Sequence, residues 1–282
     1  MTNIQTSYDE TQQLLDFIQQ YPRLVILTGA GISLQSGIPT YRDSKGVWMG
    51  SAPMQQQDFI RDAAVRQRYW ARSFIGRSTI ADAQPNAAHF AVAELEQAGF
   101  VELLITQNVD NLHQQAGSQK VIDLHGNLRD VHCLDCAARS SRDDLQQRIA
   151  DMNPQLKGLA AEIRPDGDAI LADEHVEQVQ IPPCELCGGT LMPEVVFFGG
   201  TVPVTRVQYC LDALQRADAL LVIGSSLKVY SGYRFCLRAK EWGKPIALIN
   251  PGQTRADDLA ALHLKTDSIN LLQTLLAQLQ KA

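Results

Sequence analysis

Five short apolar runs constrain this chain more than any other feature: Leu24–Leu27, Leu103–Ile105, Val121–Leu124, Leu220–Ile223 and Ile246–Ile249, each closed by turn residues. A strand with one wet face alternates apolar and polar residues; these runs do not, so they read as strands covered on both faces. Helical patterns stand between them. Ser7-x-x-Glu10 reads as a capping box opening a helix that runs to Gln20, with Leu14, Leu15, Phe17 and Ile18 on its apolar face and Pro22 closing it. Pro85–Gln97 and Val204–Gln215 follow, and a last helix from Ser268 turns Ile269, Leu272, Leu275, Leu276 and Leu279 inward. Strands alternating with helices predict an α/β fold on an open, doubly wound parallel sheet of Rossmann-like type. The 282 residues suffice for one large domain, or a large domain carrying a small one.

The stretch from 130 to 192 breaks this rhythm. It is bounded by Cys133-x-x-Cys136 and Cys184-x-x-Cys187 and encloses a polar segment with Pro154, Pro165, Gly167, Pro182 and Pro183. Two Cys-x-x-Cys pairs supply the four thiolates of a closed tetrahedral zinc site, and Gly188-Gly189 follows the second pair. A redox pair or plain buried thiols are the other readings. The gap between the pairs is far longer than in a simple zinc ribbon. It predicts a small zinc-binding module, 130–192, inserted into a Rossmann-like domain made of 1–129 and 193–282. One structural zinc with no open coordination position takes no part in chemistry. A second irregular region runs from Gly37 to Gln57, rich in Gly, Pro, Ser and Gln, and Arg61–Ile75 beyond it has a helical pattern. Residues 37–75 are expected to form a loop and the helical part of the small domain.

Cys210 and Cys236 stand alone in helix-like surroundings and read as reduced thiols acting as small apolar residues. Cysteine usage in this longer chain fits a reducing compartment, the cytoplasm. The net charge of −6 argues against broad basic patches that grip nucleic acid, and weakly favours lysine-containing protein segments. No apolar stretch approaches the ~20 residues of a membrane span. The first basic residue is Arg23, after Asp9, Glu10 and Asp16, so neither a signal nor a transit peptide is expected.

Chemistry belongs just beyond the strands, where open α/β sheets bind ligands. Thr28-Gly-Ala-Gly-Ile-Ser33 follows the first run, and Gly29 and Gly31 let backbone amides approach a pyrophosphate without side-chain obstruction. The loop is not G-x-G-x-x-G, because position 34 is Leu and the next glycine is Gly37. By itself it reads equally well as a tight turn. Gln107-Asn-Val-Asp110 follows the second run; its carboxamides and carboxylate suit hydrogen bonds to an amide and a ribose, or the capping of a helix starting near Asn111. His125 ends the third run. An imidazole near its ordinary pKa can take a proton from a hydroxyl at neutral pH. His89, His113, His132, His175 and His263 read as structural. Gly224-Ser-Ser226 and Asn250-Pro-Gly252 follow the last two runs as strand-to-helix turns.

These segments, in this order, resemble the sirtuin family of NAD-consuming protein deacylases. Gly29-Ala-Gly-Ile-Ser-Leu-Gln-Ser-Gly-Ile-Pro-Thr-Tyr-Arg42 is similar nearly residue for residue to the family's cofactor loop, and Leu124-His-Gly126 to its catalytic motif. The matches run from about residue 23 to 252. Val47–Tyr69, the long segment between the cysteine pairs and Ser231-Gly-Tyr-Arg234 look most like class II, the branch of the mitochondrial lipoamidase and ADP-ribosyltransferase type.

The resemblance implies that Ala30, Ile32 and Arg42 contact NAD, together with Gly29, Gly31 and Ser33. It implies that Gln107, Asn108 and Asp110 hold nicotinamide and ribose and order a water. Gly224, Ser225, Ser226, Asn250, Pro251, Gly252 and Ser268 would lie at the adenosine half. Val196, Phe197, Phe198 and Gly199, within Pro193–Gly199, would pair with the backbone of an acyl-lysine protein substrate. In the implied reaction the acyl oxygen attacks C1′ of the nicotinamide ribose as nicotinamide leaves. His125 then acts as general base and the acyl group passes to ADP-ribose, so NAD is consumed as a co-substrate. Tyr69 and Arg72, three apart in a helical segment, resemble the pair with which some sirtuins recognise succinyl and malonyl groups; a solvated helix face is the other reading.

Two positions depart from the family pattern. Thr40 replaces an acidic residue before the aromatic-arginine pair, and Gly200 replaces the acid after Phe-Gly. Transfer of ADP-ribose to protein is the alternative activity of the same site. A hydride-transfer dehydrogenase leaves the cysteine module and Leu-His-Gly unexplained, and a nucleic-acid-binding zinc ribbon is disfavoured by the acidic balance.

Overall fold

The computed structural model describes residues 2–40, 53–156 and 176–279. Arg42, Pro165, Gly167 and His175 lie outside the described residues. The main sheet holds six parallel strands in the order β3-β2-β1-β7-β8-β9. They are β1 (Leu24–Thr28), β2 (Val101–Thr106), β3 (Val121–Asp123), β7 (Ala219–Ile223), β8 (Ile246–Ile249) and β9 (Leu262–Leu264). The five apolar runs each supply a strand. The sixth, β9, is three residues long with two of them only part-buried, so no apolar run marks it. β2 and β3 lie on one side of β1 and β7 to β9 on the other. The topological switch therefore falls between β1 and β7, where such sheets open a crevice at their carboxyl ends.

Alternate side chains of each strand feed two cores. On one face Leu24, Ile26, Leu104 and Leu221 meet α1 (Thr2–Gln20), α4 (Ala87–Gln97) and α9 (Ser268–Leu279) through Leu14, Ile18, Val92, Leu95, Leu272 and Leu275. On the other, Val25, Leu27, Leu220 and Val222 meet α7 (Val204–Arg216) and α8 (Tyr230–Glu241) through Leu214, Phe235 and Cys236. Cys210 and Cys236 are fully buried, and burial pushes both thiols up to about 12, so they act as small apolar residues. α1 begins at Thr2, ahead of Ser7. Serine costs little inside a helix, so the cap motif did not stop the helix from extending past it.

The second sheet is antiparallel: β5 (Arg139–Ser141), β4 (Gly126–Cys133) and β6 (Leu191–Val195), with β4 central. Around it pack α6 (Arg142–Met152), α2 (Gln56–Arg61) and α3 (Ala63–Ala81). The helical pattern expected over Arg61–Ile75 is broken at Asp62. Its carboxylate accepts from the amides of Ala64 and Val65, at 2.8 and 3.3 Å, and restarts the chain as α3. Phe59, Tyr69 and Trp70 then join Val131, Leu145, Ile149, Leu191 and Met192 in a third apolar cluster. No described helix is long and apolar enough to cross a membrane.

Candidate active site

At the carboxyl edge of the main sheet lies a cavity of about 710 Å³. Its floor is the switch point, and here glycine has a role the sequence reading did not anticipate. The Gly29 and Gly31 amides are already spent, donating to Ile223 O at 3.1 Å and Gly224 O at 2.9 Å. A Cβ on Gly31 would lie 2.8 Å from Gly224 O, and one on Gly29 2.8 Å from Ser225 Cβ. Gly224 itself has φ 62°, a left-handed conformation. The glycines are thus needed first to let the ends of β1 and β7 touch, and the short 3-10 turn Ala30–Ser36 starts from that contact. Ala30 and Ser33 line the cavity; Ile32 points into the core instead.

Beyond β2, a chain of polar groups runs along one wall. Asn108 Nδ2 donates to Ser33 Oγ at 3.0 Å and Gly29 O at 3.2 Å, and Ser33 Oγ donates to Asp110 Oδ2 at 2.7 Å. Asp110 also accepts from the Leu112 amide at 3.0 Å at the start of the short helix α5 (Leu112–Gln115), as the capping reading has it, and it lines the cavity. Burial pushes its carboxyl up, against those hydrogen bonds. Behind the wall, Thr28 Oγ1 donates to Thr106 Oγ1 at 3.0 Å and meets His113 Nε2 at 2.9 Å. His89 accepts the Asn86 amide at Nδ1. Burial lowers His89 to about 4 and holds His113 well below its usual value, so both are neutral structural imidazoles.

His125 follows β3 and faces the same cavity. Its Nδ1 lies 2.9 Å from Gln107 O, which only accepts, so Nδ1 bears the proton and Nε2 the lone pair. Nε2 meets Ser231 Oγ at 2.7 Å. Burial pushes the imidazole below its ordinary pKa; the Gln107 hydrogen bond opposes this, and the charges of Arg206 and Arg234 add to it. A neutral His125 with an available lone pair can receive a proton from a hydroxyl.

Of the other expected residues, Gln107, Ser225, Ser226, Asn250, Pro251, Gly252 and Ser268 all line the cavity. Phe198 has both backbone groups engaged: its amide donates to Met54 O at 3.2 Å and its carbonyl accepts from Gln56 N at 2.8 Å. The Val196 amide donates to His125 O at 2.7 Å. Gly199–Val202 line the cavity beside them, and so do Leu227, Lys228 and Val229, a stretch that carries no expectation from sequence. Only the left-handed φ of 57° at Leu227 marks it, and no sequence pattern shows that. The departure at Gly200 has a partner: a Cβ there would run into the Gln56 side chain. Thr40 lines the cavity as well.

Tyr69 lines the cavity and Arg72 does not. Tyr69, Ser73, Arg77 and Ile80 share the helical face of α3 that borders it, and the cations on this wall are Arg77 and Arg142. Arg142 is 2 % exposed, yet among the described residues its hydrogen bonds go to neutral groups: Gln146 Oε1 at 2.6 Å and Ser73 O and Oγ at 3.5 Å. It also stacks 5.2 Å over the Trp70 ring. Burial, then the Arg77 charge, lower its guanidinium to about 10. Arg77 pairs with the exposed Asp143.

The four cysteine sulfurs lie within 4.8 Å of one another, with Cys133–Cys187 at 3.5 Å and Cys136–Cys184 at 3.8 Å. A tetrahedron of Zn–S bonds of about 2.3 Å places sulfurs about 3.8 Å apart, so the set fits one zinc. Asp135 ties the knuckles, accepting from the Thr190 amide at 2.8 Å, and a Cβ on Gly189 would strike it. None of the four cysteines lines the cavity, and four thiolates leave zinc no open position, the donor set of a structural site.

The model of the Sir2 family matches residues 29–231. The chain is 52% identical to an NAD-dependent protein deacetylase of Xanthomonas axonopodis pv. citri (strain 306), over 89% of this chain and 86% of the relative. It is 47% identical to the mitochondrial NAD-dependent protein lipoamidase sirtuin-4 of Bos taurus, over 94% and 85%. Among solved structures, a Sir2 protein with p53 peptide and NAD+ superposes with TM-score 0.74 at 28% identity, covering 96% of this chain and 99% of that one. Another, holding 2′-O-acetyl-ADP-ribose, a deacetylated p53 peptide and an inhibitor, gives 0.75 at 28%, covering 96% and 100%. The chain belongs to the Sir2 family.

Proposed function

We propose that this protein is an NAD-dependent protein-lysine deacylase that passes the acyl group of lysine to ADP-ribose and releases nicotinamide. The observation that carries this reading is His125, neutral, with Nε2 facing a cavity that also holds the Ser33–Asn108–Asp110 chain. Bound NAD supplies the ribose that accepts the acyl group. Nε2 of His125 takes a hydroxyl proton; Asn108 and Asp110 orient the nicotinamide end and a water. Ser225, Ser226, Asn250 and Gly252 hold the adenosine half, and Gly199–Val202 offers backbone to the acyl-lysine peptide. Residues 1–129 and 193–282, apart from the α2 and α3 helices of the small unit, carry the dinucleotide and 130–192 the zinc, which keeps the small unit in place. The relatives named above are described by deacylation, so transfer of ADP-ribose to protein is not favoured.

For the acyl group, an acidic end is supported by Arg142, a cavity-lining buried cation whose hydrogen bonds among the described residues reach no carboxylate, rather than by Arg72. A panel of acyl-lysine peptides incubated with NAD, with nicotinamide release measured for each, tests both statements. Release with no peptide of the panel would remove the deacylase reading. Arg142→Met is expected to raise KM for a carboxylate-ended acyl group far more than for a neutral one of equal length, and Arg72→Met to raise both alike. Equal effects of Arg142→Met on the two would remove the acidic-end reading alone.

A further inference from the structure

The His125 ring is held at both nitrogens by two elements that also grip each other. His125 Nδ1–H donates to Gln107 O at 2.9 Å, so in the neutral ring Nε2 can only accept, and Ser231 Oγ donates to it at 2.7 Å. Ser231 stands in the first turn of α8 and lines the cavity. Its neighbour Gly232 packs so closely on Gln107 that a Cβ there would lie 2.7 Å from Gln107 Cδ. Gln107 is fixed in turn, its Nε2 donating to Ser225 Oγ at 2.8 Å and to Thr28 O at 3.2 Å. α8 therefore cannot slide past Gln107 without breaking one of the two bonds on the imidazole.

We propose that Ser231 is a positioning residue for His125: its hydroxyl holds Nε2 neutral and aimed into the cavity, then yields that nitrogen to the substrate hydroxyl. Rotation about the Ser231 Cα–Cβ bond is enough to release the nitrogen, with no movement of the backbone. The inference rests on His125 as general base and adds the device that readies it. Among the described residues, the charged groups acting on His125 are Arg206 of α7 and Arg234 of α8, both cations that disfavour its protonated form. A hydrogen bond donated to the lone pair works in the same direction, because only the neutral imidazole can accept it.

Ser231→Ala tests this, with the His125 ring followed by NMR in the ligand-free protein and deacylation followed against pH. The imidazole is expected to titrate at higher pH than in the wild type, and the acid limb of kcat/KM to move up with it. Above that limb kcat/KM falls roughly five- to tenfold, the scale of one neutral hydrogen bond, while KM for the acyl peptide stays put. Ser231→Thr, which keeps the hydroxyl, restores the wild-type titration. An unchanged ring titration and pH profile in Ser231→Ala, or no restoration by Ser231→Thr, overturns the positioning role. Retained turnover in His125→Ala overturns the general-base reading instead, so the two failures are distinct.

Discussion

The two sheets of this protein are held together by different means. In the parallel sheet every residue of β1, β7 and β8 is buried, and the covering helices add apolar side chains on both faces. In the antiparallel sheet β5 has no buried residue, and in β4 only Gly126, Val131 and Cys133 are buried. Two of the zinc cysteines, Cys133 and Cys184, are themselves members of the small unit's core. A core that includes two metal-site cysteines thus lies beside cores that include none, and the cavity takes walls from both units. Asn108, Asp110 and His125 reach it from the strand ends of the large sheet, whereas Tyr69, Ser73 and Arg142 come from the small unit.

The largest effect expected from breaking this arrangement is zinc removal. Structural zinc is worth an apparent ~10–16 kcal/mol in small zinc-dependent units. Chelation or Cys133→Ser should unfold the antiparallel sheet while sparing the parallel one. Hydrogen exchange checks this: amides of β4 and β6 lose protection while those of β1 and β7 keep it. Equal loss in both sheets would show that the cores are not independent.

His125→Ala reverses the contrast, removing chemistry and leaving both cores intact. Deacylation should fall by about 10²–10⁴-fold, the usual contribution of a general base, with an unchanged melting temperature. In the wild type, activity should decline on the acid side as His125 takes up a proton. Because burial lowers its pKa, that limb lies below the ordinary histidine value of 6.5. Measured kcat/KM against pH would contradict this if the limb lay above it.

Leu221→Ala aims at the large core alone, since Leu221 is fully buried between α1, α4 and α9. A loss of about 2–5 kcal/mol in denaturant unfolding is expected, with zinc content unchanged. The smallest effect near neutrality belongs to His89. Its folded pKa of about 4 lies below the unfolded 6.5, so its neutral form stabilises the fold above pH 6.5. That contribution is lost as pH falls from 6.5 toward 4. Unfolding curves across this window should show the large sheet weakening; a flat profile would mean that His89 is not held neutral.

Much of the fold was legible in sequence. Uninterrupted apolar runs gave five of the six parallel strands, because strands covered on both faces leave no polar alternation. β9 escaped because it is three residues long, and the break at Asp62 escaped because one carboxylate capping two amides leaves the apolar period on either side intact. The strand-end segments from Gly29 to Asn250 line one cavity because open parallel sheets form their crevice where strands stop. Arg72 was read onto the cavity and Arg77 and Arg142 were not. Residues 72 and 77 are five apart on one helix, and periodicity says which residues share a face but not which face meets the cavity.

By itself the sequence determined the alternation of strands and helices, the turn residues that end each strand, and four thiols paired at knuckle spacing. Those are local properties, set by side-chain period, backbone freedom and donor chemistry. Only the tertiary structure decided that Ser231 reaches His125, 106 positions earlier, and that Gly31 touches Gly224 across the switch point. It alone placed a buried Arg142 over Trp70 at the cavity wall. Such contacts depend on how far each helix slides along the sheet before its side chains lock, and that distance is fixed by packing between elements remote in sequence.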